Sequence, residues 1–285
     1  MNGILVINKD AGMTSRDVVN VACKKLNTKK IGHTGTLDPM AKGVLVLCVN
    51  KALKVVNEIT CYDKEYVAEV TLGYNTDTLD STGNILEKKS VKKLTKEKLV
   101  DVLKSFVGEY EMEVPKYSAV KVNGKKLYEY ARNNEEVILP IKKVTVYEIE
   151  LIDEIKKENG IIKFNFRCKV SKGTYIRSLI RDICKKLGEL GVMSDLVRTK
   201  QGDFCIEDAI KIDELDENTN LINIKNVLKL PMVEVDEFLY NKIKNGCKLE
   251  NRYTYEKFCY IYNNEVVAIY IVDDDKSKVK PFKVL

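Results

Sequence analysis

An aspartate set between glycines and a proline is the first place where a side chain of this sequence could do chemistry. It is Asp38, in the run Gly32-His33-Thr34-Gly35-Thr36-Leu37-Asp38-Pro39. Such a run describes a rigid, irregular turn that presents one carboxylate. The same Asp-Pro pair also starts turns and caps helices for purely structural reasons. It is not a Walker loop, because no Gly-Lys-Ser/Thr follows. Two more segments carry useful groups. Asp63-Lys64-Glu65-Tyr66 leads into an apolar strand, where a tyrosine serves either as core or as a stacking face. Ser171-Lys172-Gly173-Thr174-Tyr175-Ile176-Arg177 joins a basic strand to a helix. Its glycine lets backbone approach a ligand, and its tyrosine and arginine offer a ring and a guanidinium; a plain strand-to-helix connection would read the same way. Together the segments supply one carboxylate, two tyrosines, one arginine and one histidine on basic stretches. Arginine can hold an aspartate ionised and oriented, and aromatic rings suit a base removed from its stack.

Composition narrows the chemistry. His33 is the only histidine, which excludes zinc-protease motifs and multi-histidine metal sites. None of the eight cysteines forms a Cys-x-x-Cys pair, and most lie in apolar stretches, as buried reduced thiols would. No metal and no cofactor is expected. The net charge of +6 is unevenly spread. Residues 1–60 hold nine Lys/Arg and four Asp/Glu, a net of +5; residues 161–200 hold ten and three, a net of +7. The other 185 residues therefore carry about −6. Two basic stretches are either the footprint of a polyanion or ordinary solvated faces. Apolar runs such as Val44 to Val49 are far short of a membrane span. The sequence opens directly on Ile4-Leu5-Val6-Ile7 with no signal segment before it. No membrane contact and a cytoplasmic location are expected.

The elements that must position these groups follow from periodicity. Gly3 to Asn8 reads as a strand. Thr14 or Ser15 caps a helix whose face is Val18, Val19, Ala22, Cys23 and Leu26. Lys29 to Lys42 has no period and is expected to be a loop, followed by a buried strand at Val44 to Val49. Tyr66, Ala68, Val70 and Leu72 alternate on one side of a strand. Thr95 caps a helix ended by Gly108. Val144 to Ile152 and Ile161 to Val170 are strands, the second with apolar and basic faces, as in an antiparallel sheet with one wet side. A helix through Leu179, Ile183 and Leu187 stops at Gly188. Residues 205–235, acidic and Asn-rich, read as a linker or a short helical connection. Beyond about 236, two strands flank Asn263-Asn264-Glu265 as a hairpin in a unit too small for an independent core.

These segments occur in an order that resembles the TruB family, the bacterial tRNA pseudouridine-55 synthases. Gly3-Ile4-Leu5-Val6-Ile7-Asn8-Lys9 with Gly12-Met13-Thr14-Ser15 resembles its opening motif. Lys30 to Leu45, around Asp38, resembles its catalytic motif. Leu72-Gly73, Thr76-Asp77-Thr78 and Asp80-Ser81-Thr82-Gly83 resemble a third block; Pro115 to Lys121 with Gly124 to Arg132 a fourth. Ser171 to Arg177 and Leu196 to Phe204 complete a match over roughly residues 1–210. Asp10, Asn50, Cys184 and Val197 depart from the family's usual Pro, Gly, Gly and Arg.

The resemblance implies an α+β pseudouridine synthase fold: a mixed, mainly antiparallel sheet flanked by helices, with a small C-terminal β-rich PUA-like unit. The implied division is a catalytic domain at 1–230 and a shortened RNA-binding tail at 236–285. The implied activity is isomerisation of uridine 55 in the T-loop of tRNA by base flipping, without cofactor or metal. Asp38 would be the catalytic carboxylate, acting on C1′ or on the C2′ proton. Tyr66 would stack on the base and Arg177 would pair with Asp38. Tyr175 and Leu196 would line the base pocket, and His33 would fill the gap left by the flipped uridine. Lys9 would contact the RNA backbone or pack near the pocket. The implied partner is the T-arm stem-loop, with no obligatory protein partner and a monomeric state. A non-catalytic tRNA-binding or folding factor on the same scaffold is the alternative; it would be marked by loss of Asp38 or Arg177, and both are present.

Overall fold

The computed structural model describes residues 1–91 and 93–285. Its main feature is a twisted mixed sheet. From one edge the strands run Ile210–Lys211, Gly3–Lys9, Lys42–Val49, Gly191–Gln201, Lys64–Leu72, Ile161–Val170, Ile141–Leu151 and Gly108–Glu113. Most pairings are antiparallel; Gly191–Gln201 meets Lys42–Val49 in parallel through Val197–Lys42 and Arg198–Gly43. The Lys64–Leu72 strand lies centrally, with Tyr66 opposite Cys168 on one side and Arg198 on the other.

Burial explains the strand patterns. In Gly3–Lys9 and Lys42–Val49, Leu5, Ile7, Leu45 and Leu47 enter one core. Ile4, Val6, Val44, Val46 and Cys48 enter a second core on the opposite face. Covered on both sides, these strands are apolar without alternation. Ile161–Val170 keeps the expected one-sided pattern. Ile162, Phe164, Phe166, Cys168 and Val170 are buried, while Lys163 and Arg167 on the wet face meet Glu69 and Glu150 at 3.0 and 3.1 Å. Those basic side chains belong to a solvated, ion-paired face opposite Tyr66.

The first core is closed by the helices Ser15–Lys25, Lys96–Lys104 and Ile176–Leu187. Thr14 caps the first in a reciprocal box: its hydroxyl accepts from the Asp17 amide at 3.1 Å, and the Asp17 carboxylate accepts from the Thr14 amide at 2.9 Å. Gly188, at φ 78°, ends the third as a left-handed cap. The second helix ends earlier than expected, at Lys104 with Ser105 as its cap, and Gly108 instead begins the next strand.

Two other expectations are corrected. The segment before Asp38 is not all loop, because Ile31–His33 pairs with the Lys42–Val49 strand. Residues 205–235, expected as a linker or a short helical connection, hold two short 3-10 turns, Ile206–Asp208 and Ile224–Asn226, within a strap along the sheet edge. Ile210–Lys211 pairs with Ile7 and Asn8, and Ile222 bridges to Ile4. Ile212, Leu215, Ile224, Val227 and Leu228 are buried beneath it.

The C-terminal sheet orders Met232–Glu234, Lys257–Tyr262, Glu265–Val272, Lys278–Val284 and Leu249–Glu250. Asn263 and Asn264, at φ 49° and 65°, make its hairpin turn. One face takes the helix Glu237–Lys244. The other places Cys259, Ile261, Val266 and Ile269 in the second core, shared with Val44, Val55 and Ile59 of the main sheet's neighbourhood. Small as it is, this unit completes its burial against the larger one. Of the eight thiols, Cys48, Cys168, Cys184 and Cys259 are buried, whereas Cys61 and Cys247 are exposed.

Candidate active site

The Asp38 loop is clamped at almost every residue by backbone bonds. The Thr34 amide donates to the Val46 carbonyl at 3.0 Å. The Ser15 hydroxyl accepts from the Leu37 amide at 2.9 Å and faces the Leu37 carbonyl at 3.2 Å. The Pro39 carbonyl accepts from the Gly12 amide at 2.8 Å and from the Lys9 ammonium at 3.2 Å. The opening motif is therefore the seat of the Asp38 loop. Lys9 is 1 % exposed, and its other two bonds go to the carbonyls of Asp10 and Met13 at 2.9 and 2.7 Å. With all three donors used on backbone, Lys9 packs and holds the loop rather than facing an RNA backbone. Burial pushes its ammonium down to about 8.

Arg177 gathers the remaining motif blocks. Its Nε and Nη2 donate to the two Asp38 carboxylate oxygens at 2.9 and 3.1 Å, a bidentate fork. Nη1 donates to the Thr78 carbonyl at 3.1 Å, and Nη2 also donates to the Tyr117 carbonyl at 3.0 Å. Asp80, 3.8 Å from Nη1, shapes the Thr78 turn by accepting from the Thr78 and Thr82 hydroxyls at 2.8 and 2.6 Å. The Arg177 side chain is 6 % exposed and that of Asp38 33 %. The guanidinium is thus a buried scaffold, and the carboxylate it aims remains open to a ligand.

Asp38 lies in a cavity of about 470 Å³ whose walls include Thr34, Gly35, Lys64, Tyr66, Tyr117, Tyr175, Arg177, Leu196 and Arg198. Five of the seven residues expected from sequence thus meet at one cavity: Asp38, Tyr66, Tyr175, Arg177 and Leu196. Lys9 lies behind the loop. His33 is half-buried on the strand that leads into the cavity wall at Thr34, and its buried Nδ1 has no hydrogen-bond partner. Burial, with the charges of Arg16 and Arg198, lowers the His33 pKa and favours the neutral ring.

Sequence reasoning missed Ser15, Lys64, Arg198 and Gln201. Arg198 is 1 % exposed and donates to the carbonyls of Val44 and Gly35 at 2.7 and 3.1 Å. Gln201 donates to the Thr34 hydroxyl at 2.6 Å. Arg198 and Gln201 are buried in a strand that also carries Ser194, Asp195, Thr199 and Lys200, so no polarity pattern singled them out. Gly43, at φ 97°, is required here, because a Cβ would stand 2.2 Å from the Arg198 carbonyl oxygen. Two of the departures from the family pattern, Asn50 and Cys184, are absorbed locally. Asn50 adopts the left-handed φ of 53° that glycine usually supplies and accepts from the Thr28 hydroxyl at 2.8 Å. Cys184 is buried against Gly191, where any Cβ would meet its sulfur at 2.5 Å.

Burial raises the Asp38 pKa above the ordinary carboxylate value, with Arg177 opposing the shift and Asp80 adding to it. A reaction that needs the ionised carboxylate then loses rate on acidification before an exposed aspartate, near ~3.9, would protonate. The acid limb of kcat/KM should lie above that value; a profile flat down to it would contradict this environment for Asp38.

Similar arrangements exist among solved proteins. A Cbf5-Nop10-Gar1 complex is 25% identical, with a TM-score of 0.72 over 99% of this chain and 84% of that one. An H/ACA RNP bound to a substrate RNA containing 2′-deoxyuridine gives 25% identity and a TM-score of 0.71 at the same coverage. Fold and site together define an RNA-modifying enzyme of the pseudouridine synthase class. The family described as "TruB family pseudouridylate synthase (N terminal domain)" matches residues 23–176. A curated relative, "tRNA pseudouridine synthase B" of Caldanaerobacter subterraneus subsp. tengcongensis, is 45% identical over 99% of this chain and 98% of its own. The protein of the same name from Bacillus cytotoxicus is 42% identical over 100% and 97%. The chain belongs to the TruB family of pseudouridylate synthases.

Proposed function

We propose that this protein converts the T-loop uridine at position 55 of tRNA to pseudouridine, with Asp38 as its catalytic carboxylate. The observation that carries the reading is the bidentate Arg177–Asp38 pair at a cavity that also holds Tyr66, Tyr175 and Leu196. The tRNA assignment is supported by relatives 42–45% identical along nearly their whole length.

In the reaction the N1–C1′ bond breaks, the uracil turns, a C5–C1′ bond forms, and the C5 proton leaves while N1 regains one. Asp38 either bonds to C1′, as carboxylates do in retaining glycosidases, or takes the C2′ proton on a glycal route; one geometry serves both. Tyr66 stacks on the base and its hydroxyl assists departure of the C5 proton. Tyr175 and Leu196 complete the pocket, and the neutral His33 ring fills the stack that the uridine vacates. The flip costs a few kcal/mol, which contacts to the folded T-arm offset by reading shape and loop bases. The C-terminal unit, divided from the catalytic domain near residues 230–236, serves as the RNA-binding tail, and the protein acts as a monomer.

The test is release of tritium from an unmodified tRNA transcript made with [5-³H]uridine, since C5 loses its hydrogen only if the base is rejoined through that carbon. Release of one equivalent supports the reading, and no release removes it. Tyr66→Phe should bind the transcript as tightly as the wild type yet lose about 10²-fold or more in turnover. An unaffected single-turnover rate would restrict Tyr66 to stacking.

A further inference from the structure

The charge in the cavity exceeds what a uracil base requires. Its lining holds four cations, Lys64, Lys172, Arg177 and Arg198, and one carboxylate, Asp38, a net of +3. Arg177 is committed to Asp38, with Asp80 behind it. Among the described residues neither Arg198 nor Lys64 has a carboxylate within salt-bridge distance. Among the described residues Arg198 bonds to the carbonyls of Val44 and Gly35 through Nε and Nη2, and Nη1 has no hydrogen-bond partner. Lys64 bonds to the carbonyls of Thr60, at 2.7 Å, and Tyr62. Both side chains are buried, at 1 % and 7 % exposure. Two buried cations without a counter-ion are costly unless an anion arrives.

Register fixes where that anion would sit. Arg198 lies directly across from Tyr66 in the antiparallel pair, and Lys64 lies two residues from Tyr66 along the same strand. Cross-strand partners and i, i+2 neighbours share a sheet face, so all three side chains project to the cavity side. Two residues along a strand span about 6.6 Å, comparable to the separation of a base from its own backbone phosphate. Uracil is neutral, and the phosphodiester is the only anion a uridine in RNA carries.

We propose that Lys64 and Arg198 form a phosphate seat that grips a phosphodiester flanking the flipped uridine while Tyr66 holds its base. This rests on the tRNA reading above. Lys64 contributes charge on the cavity side of the sheet, whereas Lys163 and Arg167 lie on the opposite face and are ion-paired. Arg198 contributes a second role through its bond to Gly35, which ties phosphate capture to the position of the Asp38 loop. Burial also pushes the Lys64 ammonium down to about 8, a shift that a bound phosphate would reverse.

The test uses T-arm stem-loops with a single neutral methylphosphonate linkage placed 5′ of the target uridine, 3′ of it, or far down the stem. Turnover of the unsubstituted stem-loop is measured first; its absence would remove the tRNA reading itself. With turnover present, one flanking substitution should raise KM at least tenfold in the wild type, and the stem substitution less than threefold. In Lys64→Met the unsubstituted stem-loop should already bind tenfold more weakly, and the flanking substitution should add less than threefold. Lys64→Arg should restore the tenfold discrimination, which a merely structural role for Lys64 would not produce. Equal effects at flanking and stem positions in the wild type would overturn the proposal without any variant. So would a flanking effect of the same size in Lys64→Met.

Discussion

Asp38→Asn should reduce pseudouridine formation by at least about 10³-fold while tRNA affinity stays within a few-fold of the wild type. The amide has the shape of the carboxylate but can neither attack C1′ nor take the C2′ proton. The loop should keep its place, because its bonds to Ser15, Gly12 and Lys9 run through the backbone of Leu37 and Pro39. Arg177 keeps its bonds to the Thr78 and Tyr117 carbonyls and its approach to Asp80. Weakening one charge-assisted fork should therefore cost no more than about 2 kcal/mol of stability. Single-turnover tritium release and a gel-shift titration on the same preparation separate the two effects. A variant retaining a tenth of the wild-type rate would remove Asp38 from the chemistry.

Arg177→Met should be the most damaging single change to the site. It leaves a largely buried Asp38 without its cation and two carbonyls without a donor, and breaking such a pair costs about 3 kcal/mol. Unopposed by Arg177, burial and Asp80 should drive the Asp38 pKa further up. The acid limb should then move to higher pH than in the wild type, and the rate should fall at least about 10²-fold. Arg177→Lys should recover the charge but not the fork, giving a smaller shift of the acid limb and a partial rate. The melting temperature and pH profile of both variants are the measurements; an unmoved acid limb in Arg177→Met would mean that Arg177 does not set the state of Asp38.

What the sequence made legible depended on whether a residue's role was local. Strand alternation at Ile161–Val170, the Thr14 cap, the Gly188 stop and the Asn263–Asn264 turn are each set by neighbours a few residues apart, and each stands in the structure. Asp38, Tyr66 and Arg177 gained a joint meaning only from the order of several motif blocks. Taken singly they were equally a turn residue, a core ring and an exposed arginine. Contacts made across the sheet were hidden. Ser15 looked like a spare cap and proved to be the anchor of Leu37. Lys9 read as either a contact for RNA or a packing residue near the pocket, and is spent on three carbonyls. Arg198 sat in a motif without a role, because only the register opposite Tyr66 brings it to the cavity. The strap at 205–235 read as a linker or a short helical connection because its buried residues have neither helical nor strand period, Ile212 and Leu215 lying among acidic residues and Ile224 between Asn223 and Lys225.

Asp38 should isomerise one particular uridine. Mapping by carbodiimide adduct and primer extension, on an unmodified tRNA transcript incubated with the wild type and with Asp38→Asn, tests it most directly. A single stop at the T-loop uridine is expected with the wild type and none with the variant. A stop at another position, or the same stop with Asp38→Asn, would contradict it.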